Sequence, residues 1–591
     1  MRLSKNAKIL RNFIYSLYSY INFYILKKKD NEYQKKIIFL HFLKSQEIII
    51  VYFFIISIFT NIFTIIVYRK KLVNLSNEKK KITFNFLKKF SLIKFNKTIE
   101  LVHAIIILSD NYNEKVVKSK ISNYIPEDNN FYCENIVIGS GPSGSVTALS
   151  LKEKKQETLI LEAGELFSIP AQKHSGFEFI NKWLFGGLSG AVGNIDIQYA
   201  SAKCVGGGSE INSGLFHEID KDFVTKTYND ESMYENIKKF EPKNIVESQN
   251  DHSSELRNLR DIYRKGSYQL SWKIEDLKRF KKNNVNIKNS MTNTYLKKYK
   301  EIGGKILTNS KVNKFEEKNG QFYLDIKNKK KNITLKCKNL FICCGAPYSL
   351  NLLKKSKIVS NNLNSDFHFH PMFKIIAKYN SKVNSDKSID VIETQVTEFF
   401  PNYIFGNAAS GKQFLKISTF NNYDAYADVE KNFENMTIYH ATFSAGKSKF
   451  LNIPFFKEPI ISYKFSKQEL SLIKKGIKNL IEFIFQSGAE YIYLNDNKIT
   501  KINRSELSNV ETILNKISLS LSAVHLLGGM NMLDKKNFDE KNFGKLKNSK
   551  LNIYVNDSTL LNQKLLKNPQ GAVMVVSKNN IMNYLKKLNN E

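Results

Sequence analysis

The chain has 591 residues, of which 42% are hydrophobic, and a formal net charge of +35 at pH 7. A chain of this length is expected to fold as at least two domains, because single cores stop growing at about 250–300 residues. Lysine far outnumbers arginine and is spread along the whole sequence. Together with the abundant asparagine and isoleucine, this distribution indicates a general compositional bias and argues against a nucleic-acid-binding surface. Attraction to an anionic membrane is the more plausible interaction.

The cysteine content indicates a reducing compartment. The five cysteines are odd in number, contain no C-x-x-C pair and include two neighbours in sequence, Cys343 and Cys344. Such a pattern predicts neither a disulfide framework nor a zinc site. We therefore expect the globular part of the protein to lie in the cytoplasm, and we predict no metal ligands.

The N-terminal region, residues 1–125, is predicted to be basic, α-helical and membrane-anchoring. Residues 48–68 carry no charge, are rich in isoleucine and phenylalanine, and are followed by Arg69, Lys70 and Lys71. About 20 apolar residues in a helix cross a bilayer, so we predict a transmembrane helix, with a buried core helix as the alternative. Basic residues on both sides leave the topology undetermined. The aromatic stretch 13–25 is too short to span and suits a membrane-interface segment.

A dinucleotide-binding fingerprint begins at residue 135. A β-branched run precedes Gly139, Gly141 and Gly144 in the spacing G-x-G-x-x-G, and a helix-forming stretch follows. The first glycine allows a tight turn, the second lets the backbone approach a pyrophosphate, and the third lets the helix pack on the strand. Phosphates bind at such a helix N-terminus, where Ser143 also lies. Glu162, eighteen residues after Gly144, ends the next predicted strand and is placed to accept the hydroxyls of an adenosine ribose.

This fingerprint alone does not distinguish NAD from FAD, and a second glycine cluster bears on the choice. Residues 202–216, AKCVGGGSEINSGLF, contain three consecutive glycines. Each glycine inside a packed element costs about 0.5–1 kcal/mol relative to alanine. Three in succession therefore indicate that the backbone passes close to a flat or charged ligand.

From residue 131 to the C-terminus the sequence resembles the glucose–methanol–choline (GMC) flavoprotein oxidoreductases. The fingerprint and VGGGSEIN are similar to the family's two glycine motifs, and LFICCGAPYSLNLL (340–353) and NIYVNDST (552–559) are similar to later motifs in the same order. The resemblance implies FAD as cofactor. The residues it implies for FAD contacts are Gly139, Gly141, Ser143, Gly144, Glu162, Gly206, Gly207, Gly208, Ser209, Asn212, Val312, Gly345, Ala346, Asp557, Pro569 and Gln570.

The same resemblance implies a catalytic pair, His525 in SAVHLLGG and Asn568 in the motif NPQ. Taken alone, a histidine in such an apolar run is typical of a core residue, and only the resemblance favours catalysis. Imidazole suits the base because its reference pKa near 6.5 leaves much of it neutral, and apolar neighbours would keep it so. The sequence departs from the family where Leu526 replaces a usual proline and where Gly208 and Ser209 stand for two serines.

The predicted fold is α/β, with a Rossmann-like FAD-binding domain and an interleaved α+β substrate domain built on an antiparallel sheet. The predicted boundaries are 131–220, 290–360 and 515–591 for the FAD-binding domain, and 221–289 and 361–514 for the substrate-binding domain. Within 466–488, Ser466 and Glu469 predict a capping box that opens an amphipathic helix. The aromatic and glycine-rich stretch 177–199 is typical of a mobile cover over the flavin.

Three further histidines, His217, His368 and His370, are predicted to be structural residues. His368 and His370 share one face of an extended segment, but no third ligand is nearby in sequence, so a strand or loop entering the substrate domain is favoured over a metal site. His217, after the second glycine cluster, is expected to be a structural residue.

The predicted function is FAD-dependent oxidation of a CH–OH group in an alcohol, sugar or lipidic alcohol, with hydride transfer to flavin N5 and His525 as base. The expected partners are that substrate, a quinone or oxygen as electron acceptor, and a membrane, without nucleic acid. Two alternatives remain: another flavoenzyme that uses NAD(P)H, although no second G-x-G-x-x-G is present, and a GMC-like scaffold without turnover.

Overall fold

The computed structural model describes the chain except residues 1–4, 90–93, 111–129, 168–174, 249–252, 282–287, 329–330, 361–366, 386–390, 452–455, 457, 497–498, 500, 535, 540–542, 548, 562–564 and 591. The predicted N-terminal region, 1–125, thus lies outside the described residues at 1–4, 90–93 and 111–125. The described chain consists of an N-terminal helical bundle followed by a larger α/β body.

The bundle is built from amphipathic helices whose apolar faces meet. Its helices are α1 (Lys5–Tyr20), α2 (Glu32–Phe42), α3 (Glu47–Tyr68), α4 (Asn77–Leu87) and α5 (Phe95–Leu108). Asn31 and Ser76 accept hydrogen bonds from the first-turn N–H groups of α2 and α4, which fixes where these helices begin. The aromatic stretch 13–25 is mostly buried in this core, so the structure does not support its predicted place at a membrane interface. Its aromatic face is covered by α3, α4 and α5 instead.

The α/β body contains the remaining helices and all the described strands. The helices are α6 (Pro142–Glu153), α7 (Gly176–Lys182), α8 (Lys221–Tyr228), α9 (Met233–Lys238), α10 (Ser254–Gln269), α11 (Tyr295–Glu301), α12 (Tyr348–Lys355), α13 (Lys412–Ser418), α14 (Tyr423–Asn432), α15 (Lys467–Gln486), α16 (Val510–Lys516) and α17 (Gln570–Leu588). The strands are β1 (Asn130–Tyr132), β2 (Asn135–Ile138), β3 (Thr158–Leu161), β4 (Gly190–Gly193), β5 (Asp196–Tyr199), β6 (Leu215–Phe216), β7 (Ile274–Asp276), β8 (Lys278–Arg279), β9 (Lys305–Leu307), β10 (Ser310–Lys318), β11 (Gln321–Asn328), β12 (Lys331–Cys337), β13 (Asn339–Ile342), β14 (Phe367–Lys378), β15 (Thr394–Val396), β16 (Tyr403–Ala408), β17 (Met436–Phe443), β18 (Lys447–Leu451), β19 (Ile460–Lys464), β20 (Tyr491–Tyr493), β21 (Ile502–Asn503), β22 (Ser520–Gly528) and β23 (Asn552–Val555).

A parallel sheet in the order β23-β13-β2-β3-β9 forms the nucleotide-binding half of the body. All residues of β2, β3 and β13 are buried, as expected of apolar strands covered on both faces. Helix α6 follows β2 directly and packs against α17. This arrangement confirms the predicted Rossmann-like fold of this part of the chain. A smaller sheet, β1-β12-β11-β10, lies beside it.

A large, mostly antiparallel sheet forms the other half, in the order β18-β19-β4-β5-β22-β14-β17-β16-β15-β7. Helix α15 covers one face of this sheet; Ser466 and Glu469 form its predicted capping box, and the chain leaves the helix at Gly488 with φ +98°. The sequence-based boundaries place β4, β5 and β22 in the FAD-binding domain, whereas these strands hydrogen-bond into the large sheet. The chain therefore crosses between the two halves within single predicted segments.

Candidate active site

A cavity of about 1980 Å³ lies between the parallel sheet, the large sheet and the helical bundle. Pockets for single small ligands measure about 300–1,000 Å³, so this cavity has room for a dinucleotide cofactor and a substrate together. One part is lined by the loops that follow β2, β3 and β13, and another by β14, β16 and β17 of the large sheet. Lys44, Glu47 and Ile50 of the helical bundle also line it.

Two of the three fingerprint glycines, Gly139 and Gly144, lie where the protein itself leaves no room for a side chain. Gly139 has φ +103°, and a Cβ there would lie 2.3 Å from the carbonyl oxygen of Cys343. A Cβ on Gly144 would lie 1.9 Å from the carbonyl oxygen of Gly139, so the first turn of α6 presses on the loop after β2. No side chain caps this helix, and Pro142 and Ser143 at its N-terminus line the cavity. These uncapped N–H groups suit a pyrophosphate.

The second glycine cluster meets the first at Gly207. A Cβ on Gly207, which has φ +56°, would lie 2.7 Å from the Cα of Gly141. Gly208 faces the cavity, where a Cβ would meet nothing within 4 Å. Gly206 and Ser209 instead lie behind the cavity wall: the Ser209 hydroxyl donates to the Gly206 carbonyl and accepts from the N–H of Met291. The structure thus presents the predicted cofactor residues Gly207 and Gly208 to the cavity but not Gly144, Gly206 or Ser209.

Glu162 is held at the end of β3, on the cavity wall. Its carboxylate accepts from the N–H of Ser140 at 3.1 Å, from the Ser140 hydroxyl at 2.6 Å and from the N–H of Gly164 at 2.8 Å. The Ser140 hydroxyl also accepts from the N–H of Gly206. Burial raises the pKa of Glu162, although these hydrogen bonds oppose the shift. The carboxylate therefore ties the two glycine loops together.

Asp557 organises the loop that follows β13. Its carboxylate accepts from the N–H of Gly345 at 2.7 Å, from the N–H of Thr559 at 2.9 Å and from the Ser349 hydroxyl. The N–H of Ala346 donates to the Ser558 hydroxyl. Asp557, Gly345, Ala346 and Val312 all line the cavity; Val312 lies on β10, the edge strand of its sheet. These predicted cofactor residues are thus brought together with Glu162 around one space.

A β-bulge turns His525 into the cavity. On β22, Leu526 pairs with Phe369 and Ala523 with Pro371, so Val524 and His525 together oppose the single residue His370 of β14. Bulges next to active sites commonly redirect a side chain in this way. His525 lines the cavity, and its Nδ1 lies 3.1 Å from Nδ1 of His370. The SAVHLLGG histidine is therefore not a residue of the closed core.

Both histidines of this pair are neutral. Burial lowers the pKa of His525 to about 4. Burial also lowers the pKa of His370 well below its usual value, with the proximity of His525 as the second cause. Between two neutral rings, one Nδ1 donates and the other accepts. When His525 donates, its Nε2 carries a free lone pair and can accept a proton from a substrate hydroxyl.

Asn568 is placed in the same cavity by His217. The backbone N–H of Asn568 donates to His217 Nδ1 at 3.0 Å, and His217 Nε2 lies 3.1 Å from Oε1 of Gln395. Burial lowers the pKa of His217 to about 3, so this ring is neutral and satisfied, as expected of a structural histidine. Pro569 and Gln570 follow at the N-terminus of α17, where Gln570 Oε1 accepts from the Asn212 amide at 2.6 Å.

The stretch 177–199 lies between the cavity and the helical bundle. Its α7 and the turn after it line the cavity. His41 of α2 lies 2.7 Å from the carbonyl oxygen of Gly186, and the Gln46 side chain accepts from the N–H of Gly190. That this stretch moves as a cover stays a prediction.

Sequence reasoning missed three cavity residues of the large sheet, His370 as a partner of His525, Lys374 and His440. In β14, every second residue from His370 to Lys374 lines the cavity, and this period-2 alternation is visible in HPMFK. This alternation could have identified the face of β14 that lines the cavity, but not which strands lie beside β14 in the sheet.

Comparisons with known proteins agree with this geometry. The sequence profile of the GMC oxidoreductases matches residues 134–372. An uncharacterized GMC-type oxidoreductase of Sinorhizobium fredii is 24% identical over 387 residues, covering 60% of this chain and 75% of the relative. Pyridoxine 4-oxidase from Mesorbium loti superposes with a TM-score of 0.58 at 12% identity, over 77% of this chain and 99% of that one. A variant of the Aspergillus oryzae formate oxidase superposes with a TM-score of 0.61 at 11% identity, over 78% of this chain and 99% of that one. Together with the fingerprint, these matches agree with the FAD cofactor that the sequence predicts.

Proposed function

Because the chain is a flavin-dependent oxidoreductase of the GMC family, we propose that it oxidises a CH–OH group, with His525 as the base and Asn568 holding the substrate oxygen. FAD, when bound, supplies the hydride acceptor. The observation that carries the proposal is that the bulge in β22 presents a neutral imidazole to the cavity that Asn568 also lines.

His525, His370 and Asn568 have separate roles in the proposed reaction. His525 Nε2 takes the hydroxyl proton, and His370 orients the ring through Nδ1. The Asn568 side-chain amide makes no hydrogen bond to the described protein and lines the cavity, so its N–H is available to the substrate oxygen. Its backbone is fixed by His217. FAD would be held by the α6 N-terminus, the glycine loops, Glu162 and the loop organised by Asp557.

The test is anaerobic reduction of the flavin. We expect the purified protein to carry FAD and an alcohol or sugar from a broad panel to bleach its absorbance near 450 nm, because His525 and the residues that would hold FAD line one cavity. Readmission of oxygen or of a quinone then identifies the acceptor. Bleaching by NADPH or NADH alone would favour the reductase alternative, and a protein that binds FAD but is bleached by no donor would favour the inactive scaffold.

We also propose that the helical bundle attaches the protein to a membrane through α3. One face of this helix packs into the bundle at Phe53, Ile56 and Thr60. The opposite face exposes apolar side chains at 37–66% of their surface, namely Val51, Ile55, Ile58, Phe59, Ile62, Ile65, Ile66 and Val67. A contiguous apolar stripe of this kind marks an interaction site, and the neighbouring lysines favour an anionic lipid surface.

The bundle favours an in-plane orientation of α3 over the predicted span. The N–H of Leu72 donates to the side chain of Asn61, eleven residues earlier, so the basic segment 69–71 folds back along the helix. Helix α4 follows beside it, with Phe86 stacked on Phe63. A spanning α3 would carry the lysines of this segment into the hydrocarbon, whereas an in-plane helix leaves them at the headgroups.

All five cysteines are unpaired, which supports a cytoplasmic location of the body.

We expect the double substitution Ile55→Asp and Ile62→Asp to weaken binding to anionic vesicles by at least about 100-fold, since each buried isoleucine contributes roughly 1.5–3 kcal/mol. Vesicle sedimentation measures the effect. Ile302→Asp, at an isoleucine outside the bundle that is 45% exposed against 59% for Ile55 and 53% for Ile62, is the control and should bind like the native protein. Equal vesicle binding by the double variant would refute attachment through α3, and resistance of the native protein to alkaline extraction would favour the span.

A further inference from the structure

One region of the cavity is a polar strip that crosses four neighbouring strands of the large sheet, β14, β17, β16 and β15. Lys374 of β14 pairs in register with His440 of β17, which in turn pairs with Gly406 of β16. A Cβ on Gly406 would lie 2.8 Å from Nε2 of His440, so glycine leaves room for the ring. Lys374, His440 and Gln395 of β15 line the cavity here. We call these three residues the polar strip.

Lys374 lacks a counter-charge. Within the described part of the chain its ammonium makes no hydrogen bond and no ion pair. Burial lowers its pKa to about 8 and is the only influence on that pKa, whereas a neighbouring carboxylate would raise it. The side chain still carries its proton at neutral pH. An unpaired cation in a protein interior is costly, so buried charges normally face a partner.

Six carboxylates line the cavity, and among the described residues none of them forms an ion pair with Lys374. Glu162 and Asp557 accept hydrogen bonds from the glycine loops and the loop after β13, and Glu458 pairs with Lys311. Burial, Lys374 and His525 lower the pKa of His440 to about 3, so this ring is neutral and within electrostatic reach of both. The polar strip therefore offers one positive charge and neutral hydrogen-bonding groups. These groups of the polar strip suit a ligand group with a single negative charge better than a dianion.

We propose that the substrate is a hydroxy acid whose carboxylate binds Lys374 and His440 while its hydroxyl lies at His525. This inference rests on the proposed oxidation of a CH–OH group. His370, the neighbour of His525, precedes Lys374 by four strand residues, which is about 13 Å along β14. The two functional groups of the substrate are therefore several bonds apart, and a 2-hydroxy acid would not reach both.

The test compares medium-chain ω-hydroxy carboxylates with their methyl esters by anaerobic flavin reduction. The native protein should prefer the acid. In Lys374→Met, kcat/KM for the acid should fall by about 30-fold or more while that for the ester changes little, because loss of one partner of a buried charge pair weakens only the charged ligand. Lys374→Arg should retain part of the preference. Lys378→Met, on the same strand but paired with Glu490, is the control.

Two results would overturn the inference: equal use of acid and ester by the native protein, or an equal loss for both substrates in Lys374→Met. Binding of a medium-chain carboxylate without a hydroxyl, followed by the change in the flavin spectrum, separates this inference from the proposed function. If no hydroxy compound reduces the flavin but the native protein binds the carboxylate and Lys374→Met does not, the oxidation fails while the anion site stands. If neither the native protein nor Lys374→Met binds the carboxylate, the anion site is refuted.

Discussion

His525→Gln is expected to lower the rate of flavin reduction by about 10²- to 10⁴-fold while FAD stays bound, because a positioned general base contributes that much to a proton transfer. Glutamine is close to histidine in size and can still hydrogen-bond to His370, so the bulge in β22 should persist. Glutamine cannot accept the hydroxyl proton. The loss should therefore appear in turnover and not in the flavin content of the purified protein.

Stopped-flow reduction and the flavin-to-protein ratio measure the two effects separately. His103→Gln is the matched control, since His103 is a buried histidine of the helical bundle that lies beside Phe420 and does not line the cavity. It should leave turnover unchanged. A proportional loss of flavin and turnover in His525→Gln would show a structural histidine instead.

The pH profile provides an independent readout of the same base. Burial lowers the pKa of His525 to about 4, below the value near 6.5 of a free imidazole. The base must be neutral to act, so kcat/KM should be level between about pH 5 and pH 7, below the pKa of Lys374 at about 8, and should fall as the pH drops through 4. A profile that already falls near pH 6.5 would indicate a solvated histidine.

The parts of the site that can be predicted from sequence are those whose spacing has a local cause. The turn at Gly139 and the cap at Ser466 are decided within a few residues, and both form as predicted. Motifs in order along the chain also indicate that His525 and Asn568 share a site, and both line one cavity.

Other features depend on which strands lie side by side, and local sequence does not encode that. The contact between His370 and His525 arises from a bulge between β14 and β22, whose paired residues Pro371 and Ala523 are 152 positions apart in the sequence. Lys374 and His440 likewise meet only because β14 and β17 lie side by side in the large sheet. Hydropathy likewise detects that α3 is apolar but not that one of its faces is covered by the bundle.

Gly141→Ala is expected to weaken FAD binding by about 10- to 100-fold without affecting the fold, because overpacking a close contact costs roughly 1–3 kcal/mol. Gly141 has φ −66° and ψ −172°, a conformation that any residue adopts. A Cβ there would meet only the Cα of Gly207, at an ordinary 3.9 Å. The protein alone thus has room for the methyl group, and a loss of affinity must come from the cofactor.

FAD titration and the free energy of unfolding without FAD distinguish these two contributions. Gly190→Ala is the matched control: a Cβ there would lie 3.6 Å from the carbonyl oxygen of Ile197, also an ordinary contact, and Gly190 does not line the cavity. Both variants should unfold like the native apoprotein, and only Gly141→Ala should bind FAD weakly. Equal FAD affinity in the two variants would mean that the pyrophosphate does not pass at Gly141, and the cofactor would then have to approach α6 from the side of Gly208, where the cavity is open.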